Sequence, residues 1–345
     1  MSQQPSVAIV IPAYNEERFI GKCLESCIDQ TSAPDEIIVV NNRSTDNTAS
    51  VVRRYQEANP HIDIRLVDQN EHQGIAPTRS CGFDHVHSDI IGRTDADSIV
   101  ANDWVETIRR CFEDPAIDAA SGPVMFYDMP LRGFLFWLDC LLREKLQRKA
   151  KDERFLIGAN MAIRAPAWKS VRRLTQLDVE DRLHEDVDLA LTLFENDFEI
   201  AYEPAMVAGM SARRVESSLP DFYRYVTRYT RTTDLHGINS SAARTSIITL
   251  MLLYYPFRAL RFFYDLENLQ FTTAKLRDKL RRRGLVRGYR RQQEFAKGQL
   301  PSGARPAMPL TRWRPAGPRA AGPRARGPRA AKSLVAEQSS SPGVT

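Results

Sequence analysis

Residues 7–12, Val-Ala-Ile-Val-Ile-Pro, form an unbroken apolar, β-branched run, the pattern of a strand buried on both faces. Beyond Asn15-Glu16-Glu17, apolar residues recur at Phe19, Ile20, Cys23, Leu24, Cys27 and Ile28, which is helical spacing. A second buried strand is predicted at 36–40, and the polar turn Asn41-Asn42-Arg43-Ser44 leads into Thr45-Asp46-Asn47, good cap residues for a helix near 47–58. Ile62–Val67 reads as a third strand, the segment after Gly74 as a helix to about Val86, and Asp89–Arg93 as a fourth strand ending in Thr94-Asp95-Ala96-Asp97. The order βαβαβαβ with short loops predicts a parallel sheet with helices on its faces. Ligands on such sheets bind beyond the carboxyl ends of the strands. Tyr14-Asn15, Asn41-Asn42 and Asp95–Asp97 are therefore expected to share one crevice.

Beyond residue 100 the pattern is less regular. Helices are predicted over 104–112, 131–149 and 188–195, the last continuing from His184-Glu185-Asp186, and a strand over 199–202. Between Arg244 and Arg258 lie 13 uncharged, mostly apolar residues. A bilayer span needs about 20, so this run suits an interfacial or packing helix. From Pro301 the chain is Pro, Gly, Ala and Arg, with Gly-Pro-Arg-Ala recurring from Gly317, Gly322 and Gly327. Having few apolar side chains to bury, this tail is expected to be disordered.

Composition narrows the classes. With 43% hydrophobic and 26% charged residues over 345 positions, wholesale disorder and fibrous repeats are excluded. Five scattered cysteines without a C-x-x-C pair point to reduced thiols in a cytosolic compartment. The start of the chain, with no basic segment before Val7, predicts no signal peptide. The net charge of +5 conceals an asymmetry: residues 275–332 hold 18 Lys and Arg against two acids, while the remainder holds 30 basic and 41 acidic residues. An acidic body thus carries a basic arm, and such arms either are simply solvated or bind polyanions.

Two acidic clusters could do chemistry. Asp95-Ala96-Asp97 sits at a predicted strand tip, where one carboxylate can accept from a sugar or ribose hydroxyl and the other can hold a hard divalent cation. His184-Glu185-Asp186, with Asp188, opens a helix. Acids there favour the helix dipole, and a carboxylate facing a cleft is also placed as a general base.

With these residues stand Val7–Glu17, Glu36–Thr48, Asp95–Asp97, Gly158-Ala-Asn-Met-Ala-Ile-Arg164 and His184–Leu189. In this order and spacing, across roughly residues 7–215, they resemble the motifs of family 2 glycosyltransferases. The resemblance implies the GT-A fold, a Rossmann-like α/β architecture with a mostly parallel sheet. It also implies inverting transfer of a sugar from a nucleotide-sugar donor to an acceptor hydroxyl, with Mg²⁺ or Mn²⁺. The apolar run and basic arm add the expectation of a lipid-linked or saccharide acceptor, and the departure from the processive pattern adds that of non-processive transfer. By the same resemblance Pro12, Ala13, Tyr14 and Glu16 would line the nucleoside pocket. Asn41 falls where an Asp usually receives the base. Arg79 would lie close to the donor, and Asp95 would contact its ribose or sugar. Asp97 would hold the metal, Asn160 and Met161 would border the sugar and acceptor, and Asp186, with Glu185 beside it, would deprotonate the acceptor hydroxyl. Ser211-Ala212-Arg213-Arg214 resembles a stretch of one branch in which an Arg reaches the phosphates. Processive members carry Q-x-x-R-W; here the region holds Tyr225-Val-Thr-Arg228-Tyr229.

The expected organisation is a transferase domain over 1–235, an apolar and basic helical extension over 236–300 and a disordered tail over 301–345. The expected place of work is the cytoplasm, at or near an anionic inner membrane face, with nucleic acid not the expected partner. The rival readings are an inactive scaffold binding membrane or RNA through its basic arm, and a D-x-D phosphatase.

Overall fold

The computed structural model describes residues 4–149, 155–238, 241–265 and scattered positions from 268 to 281. Chain contacts define one compact unit, Met1–Arg282. The arm and tail beyond it lie outside the described residues.

The first half alternates as its pattern predicts: β1 (Val7–Ala13), α1 (Ile20–Ile28), β2 (Glu36–Asn41), α2 (Thr48–Ala58), β3 (Ile64–Asp68), α3 (Ile75–Asp84) and β4 (Ile90–Arg93). There follow β5 (Ile99–Val100), α4 (Trp104–Cys111), β6 (Ala119–Ser121), β7 (Val124–Phe126), α5 (Arg132–Lys149), β8 (Met161–Arg164) and α6 (Ala165–Val171). The chain continues through α7 (Glu185–Glu195), β9 (Ile200–Tyr202), β10 (Ala208–Met210), the 3₁₀ turn Ala212–Glu216, α8 (Leu219–Val226), α9 (Arg228–Leu235) and α10 (Ser241–Phe262). A short hairpin, β11 (Tyr264–Asp265) and β12 (Gln270–Phe271), ends the described part.

Among the described residues the main sheet has the order β3-β2-β1-β4-β8-β6-β9. β1, β2, β3 and β4 pair in parallel, while β8 runs antiparallel to both β4 and β6. A smaller sheet, β5-β10-β7, lies beside it. Every residue of β1 is buried, because both faces of the sheet are covered. Val7, Ile9 and Ile11 face Cys23, Cys27, Val52, Trp104 and Ile108 on one side. Ala8 and Val10 face Phe83, Trp168, Leu189 and Leu193 on the other.

The switch to antiparallel pairing at β8 was not foreseen. β6, β7 and β8 are three or four residues long, too short to show a period. The apolar run 245–257 falls within α10, whose inner side packs Tyr254 with Val215, Phe222 and Val226. No helix among the described residues is long and apolar enough to cross a membrane.

Candidate active site

Three parallel strands end side by side: Ala13 pairs in register with Asn41, and Asn41 with Asp68. The loops leaving β1 and β2 are tied together. Asn15, at φ 56°, accepts from the Thr45 amide at 2.8 Å through Oδ1, and the Glu16 amide donates to Thr48 Oγ1 at 2.8 Å. Asn tolerates that left-handed backbone better than most side chains. Asn42, 2% exposed, donates to the carbonyls of Gln69 and His72 and accepts from the Gly74 amide, each at 2.9 Å. Gly74 itself has φ 137°, a value side chains rarely adopt.

On this platform Pro12 and Ala13 are buried at the strand tip, while Tyr14 stands 51% exposed above it. Asn41 donates to Asp68 Oδ1 at 2.8 Å and accepts from the Ser44 amide at 3.2 Å, so Asp68 puts a carboxylate beside the position where the sequence has none.

Arg93, the last residue of β4 and 1% exposed, organises the rest. Its guanidinium lies 3.1 Å from Asp95 Oδ1 and 2.7 Å from Glu185 Oε1. Arg79, fully buried in α3, reaches the same Glu185, 2.6 Å from its carbonyl and 3.3 Å from Oε2. Against the burial that would raise it, Arg93 and Arg79 hold the Glu185 carboxyl below the ordinary carboxylate range. Glu185 is thus a buried anchor between two cations. Gly158 packs on Arg93 so closely that a Cβ there would sit 2.6 Å from Nη1.

The Gly158 amide donates to Asp186 Oδ2 at 2.9 Å, fixing that carboxylate in the first turn of α7. Burial, then the Glu185 charge, push its pKa up to about 6 despite that bond and Arg93. Burial and Asp95 likewise push Asp97 up to about 6. Asp97 Oδ2 lies 2.6 Å from Nε of Arg213, whose terminal nitrogens form a fork with Glu16.

The structure therefore brings Glu16, Asp95, Asp97, Glu185 and Asp186 together. It corrects three expectations. Asn160 and Met161 are both 0% exposed. Asn160 accepts from Trp104 Nε1 at 2.7 Å and donates to the carbonyls of Pro123 and Met206, pinning β8 to its surroundings, while Met161 is core. Neither side chain is open to the crevice. Arg79 lies beneath the crevice and acts on it through Glu185. Asp188, 1% exposed, accepts from the Gln176 amide at 2.9 Å and lies 3.1 Å from His236 Nε2, a packing role. His184 is wedged against Tyr225 and Tyr229 with ring centroids at 4.9 and 4.2 Å, and burial lowers its pKa to about 4. Arg93 and Gly158 were missed by the residue-level reading. An arginine inside an otherwise apolar strand was the signal that could have found Arg93.

Whether a divalent cation fits depends on the donor set. Among the described residues no three His, Cys, Asp or Glu side chains form a metal cluster. Mg²⁺ and Mn²⁺ with a phosphate ligand need only one or two protein carboxylates, and Asp97, with Asp95 and Glu16 near it, meets that need.

This arrangement defines a nucleotide-diphospho-sugar transferase fold of the GT-A type. A mannosyltransferase from Pyrobaculum calidifontis, solved in complex with GDP-Man and Mn²⁺, superposes with a TM-score of 0.50 at 20% identity, covering 75% of this chain and 85% of that one. Residues 8–172 match the model of glycosyl transferase family 2. The chain is 30% identical over 116 residues to the glycosyltransferase GlyA of Streptococcus pneumoniae, covering 34% of this chain and 16% of GlyA. It is 24% identical over 175 residues to GlyG of the same organism, covering 48% and 56%, and 31% over 127 residues to AglE of Haloferax volcanii, covering 36% and 41%. The matched stretches thus span less than two thirds of these relatives.

Proposed function

We propose that the chain transfers a sugar from a nucleotide-sugar donor to an acceptor hydroxyl with inversion at the anomeric carbon. The observation that carries the reading is Arg93. One buried guanidinium joins Asp95, on the donor side, to Glu185, the neighbour of the candidate base. Pro12, Ala13, Tyr14, Glu16 and Asn41 form the nucleoside end of the crevice, and Asp95 meets the ribose or sugar. Asp97 would hold Mg²⁺ or Mn²⁺, which supplies charge neutralisation on the departing diphosphate. Asp186 accepts the proton of the acceptor hydroxyl as that oxygen attacks the anomeric carbon opposite the leaving group. The Mn²⁺ and GDP-Man of the Pyrobaculum mannosyltransferase support the metal and donor class.

The acceptor is proposed to be a saccharide or lipid-linked hydroxyl of the cell envelope, met at an anionic membrane face. The support is α10, which presents Ile248, Leu252 and Tyr255 at 62, 73 and 63% exposure along one stripe, in a chain whose following segment is strongly basic. Thermal unfolding of the full chain with UDP, GDP and other nucleoside diphosphates, each with and without Mn²⁺, tests the donor reading. A raised midpoint with one diphosphate plus Mn²⁺ is expected. No shift with any of them would favour the inactive scaffold.

A further inference from the structure

Arg213 holds two of the carboxylates a metal would need, Asp97 and Glu16. It stands in the 3₁₀ turn Ala212–Glu216, and that turn is fastened from behind. Asp128 accepts from Ser211 Oγ at 2.6 Å and from the Ala212 amide at 2.8 Å, and is itself ion-paired with Arg261 of α10. The side chain passes at 5.0 Å over the Phe19 ring to Asp97 and Glu16, with 39% of its own surface exposed against 12% for each carboxylate. A turn fastened from behind thus carries a part-exposed guanidinium held by two carboxylates.

We propose that Arg213 is an exchangeable resident cation: it pairs with Asp97 and Glu16 until a donor arrives, then transfers to the donor's diphosphate and frees Asp97 for the divalent metal. This rests on the transferase reading above and adds an order to it. Three carboxylates, Glu16, Asp95 and Asp97, crowd one place, and burial makes their unneutralised charge costly. A guanidinium at 2.6 Å from Asp97 and a divalent ion on the same carboxylate repel one another. A diphosphate offers the planar, bidentate partner that an arginine prefers. Metal alone must evict Arg213, whereas metal with a nucleoside diphosphate gives it somewhere to go. The two ligands therefore bind with positive coupling, and that coupling is reciprocal.

The test is Mn²⁺ binding by the full chain, followed by electron paramagnetic resonance without nucleotide, for the unaltered protein and for Arg213→Gln, Arg213→Lys and Asp97→Asn. Thermal unfolding in EDTA confirms that each variant is folded. Arg213→Gln is expected to bind Mn²⁺ alone about 5- to 50-fold more tightly than the unaltered chain, to lose affinity for nucleoside diphosphate in EDTA, and to show weaker coupling between the two. Arg213→Lys should fall between them, and Asp97→Asn should lose the site. Mn²⁺ binding that Asp97→Asn abolishes but Arg213→Gln leaves unchanged would overturn the exchange while sparing the transferase reading. Absence of Asp97-dependent Mn²⁺ binding in every form, with a nucleoside diphosphate present as well as without it, would overturn both the exchange and the metal-assisted transfer it rests on.

Discussion

Asp186 faces two opposed demands, since a strong base and a stable buried anion are different things. Its pKa, near 6 rather than 3.8, means that between about pH 4 and 6 the folded chain holds this proton more tightly than the unfolded chain does. The group's contribution to stability therefore falls as pH rises through that window, and at neutral pH the carboxylate is a net cost. Asp186→Asn should lower kcat by ~10²–10⁴-fold, the usual worth of a positioned base. It should also raise the unfolding midpoint at pH 7 by a few degrees, on the order of 1–2 kcal/mol. Activity and calorimetry on the same preparation check both. In the unaltered chain the acid limb of kcat against pH should lie near 6, not near 4. Asp97→Ala should abolish Mn²⁺-supported turnover with little change in fold, because a strand-end carboxylate contributes little packing; near-normal turnover at saturating Mn²⁺ would remove Asp97 from the metal.

At the scale of elements, glycines set how closely the site's supports approach. Gly82 brings α3 down onto the sheet: a Cβ there would lie 2.4 Å from Val10 Cγ1 and 2.8 Å from Val40 Cγ2. Gly82→Ala should cost ~1–3 kcal/mol through overpacking. Val10→Ala in the same chain should recover part of it, as a double-mutant cycle would show. Gly158→Ala is a different case. The added methyl meets the Arg93 guanidinium rather than a core methyl, so activity should fall by more than the stability loss explains. Turnover measured well below the unfolding temperature separates the two. The first four strands and most of the longer helices were legible because their periods persist for several residues, as in the unbroken Val7–Ala13, whereas the seven- and eight-residue α6, α8 and α9 were not read. The strands from β5 to β10 were mostly not, being two to four residues long.

At the scale of the whole molecule, α10 does two things. Its inner side buttresses the turn carrying Arg213: Arg261 lies on Asp128, and Tyr254 donates to the Ser217 carbonyl at 2.8 Å. Its outer stripe faces away with Ile248, Leu252 and Tyr255 exposed. Apolar insertion plus ~1 kcal/mol for each Lys or Arg near an anionic leaflet would suffice for reversible attachment. The full chain should sediment with anionic vesicles at low salt, less at high salt, and little with neutral ones. Leu252→Glu should weaken sedimentation at both salt concentrations without touching donor affinity. Equal recovery in the supernatant under all conditions would leave the stripe without a lipid role.

By itself the sequence determined the alternation of strands and helices, the buried character of the first sheet and the acidic residues at its carboxyl ends. Those features are local, written in neighbouring residues and their period. Which side chains meet was decided by tertiary structure. Asn160 and Met161 share a motif with Gly158, yet pairing of β8 against β4 and β6 turns both inward, while Gly158 stays at the crevice. Arg79, Arg93 and Glu185 come from three separate elements and meet only because α7 packs where β4 ends. Arg213 reaches Glu16 across 197 positions. No pattern in adjacent residues records such distances, since the sheet order and the docking of helices on it create them.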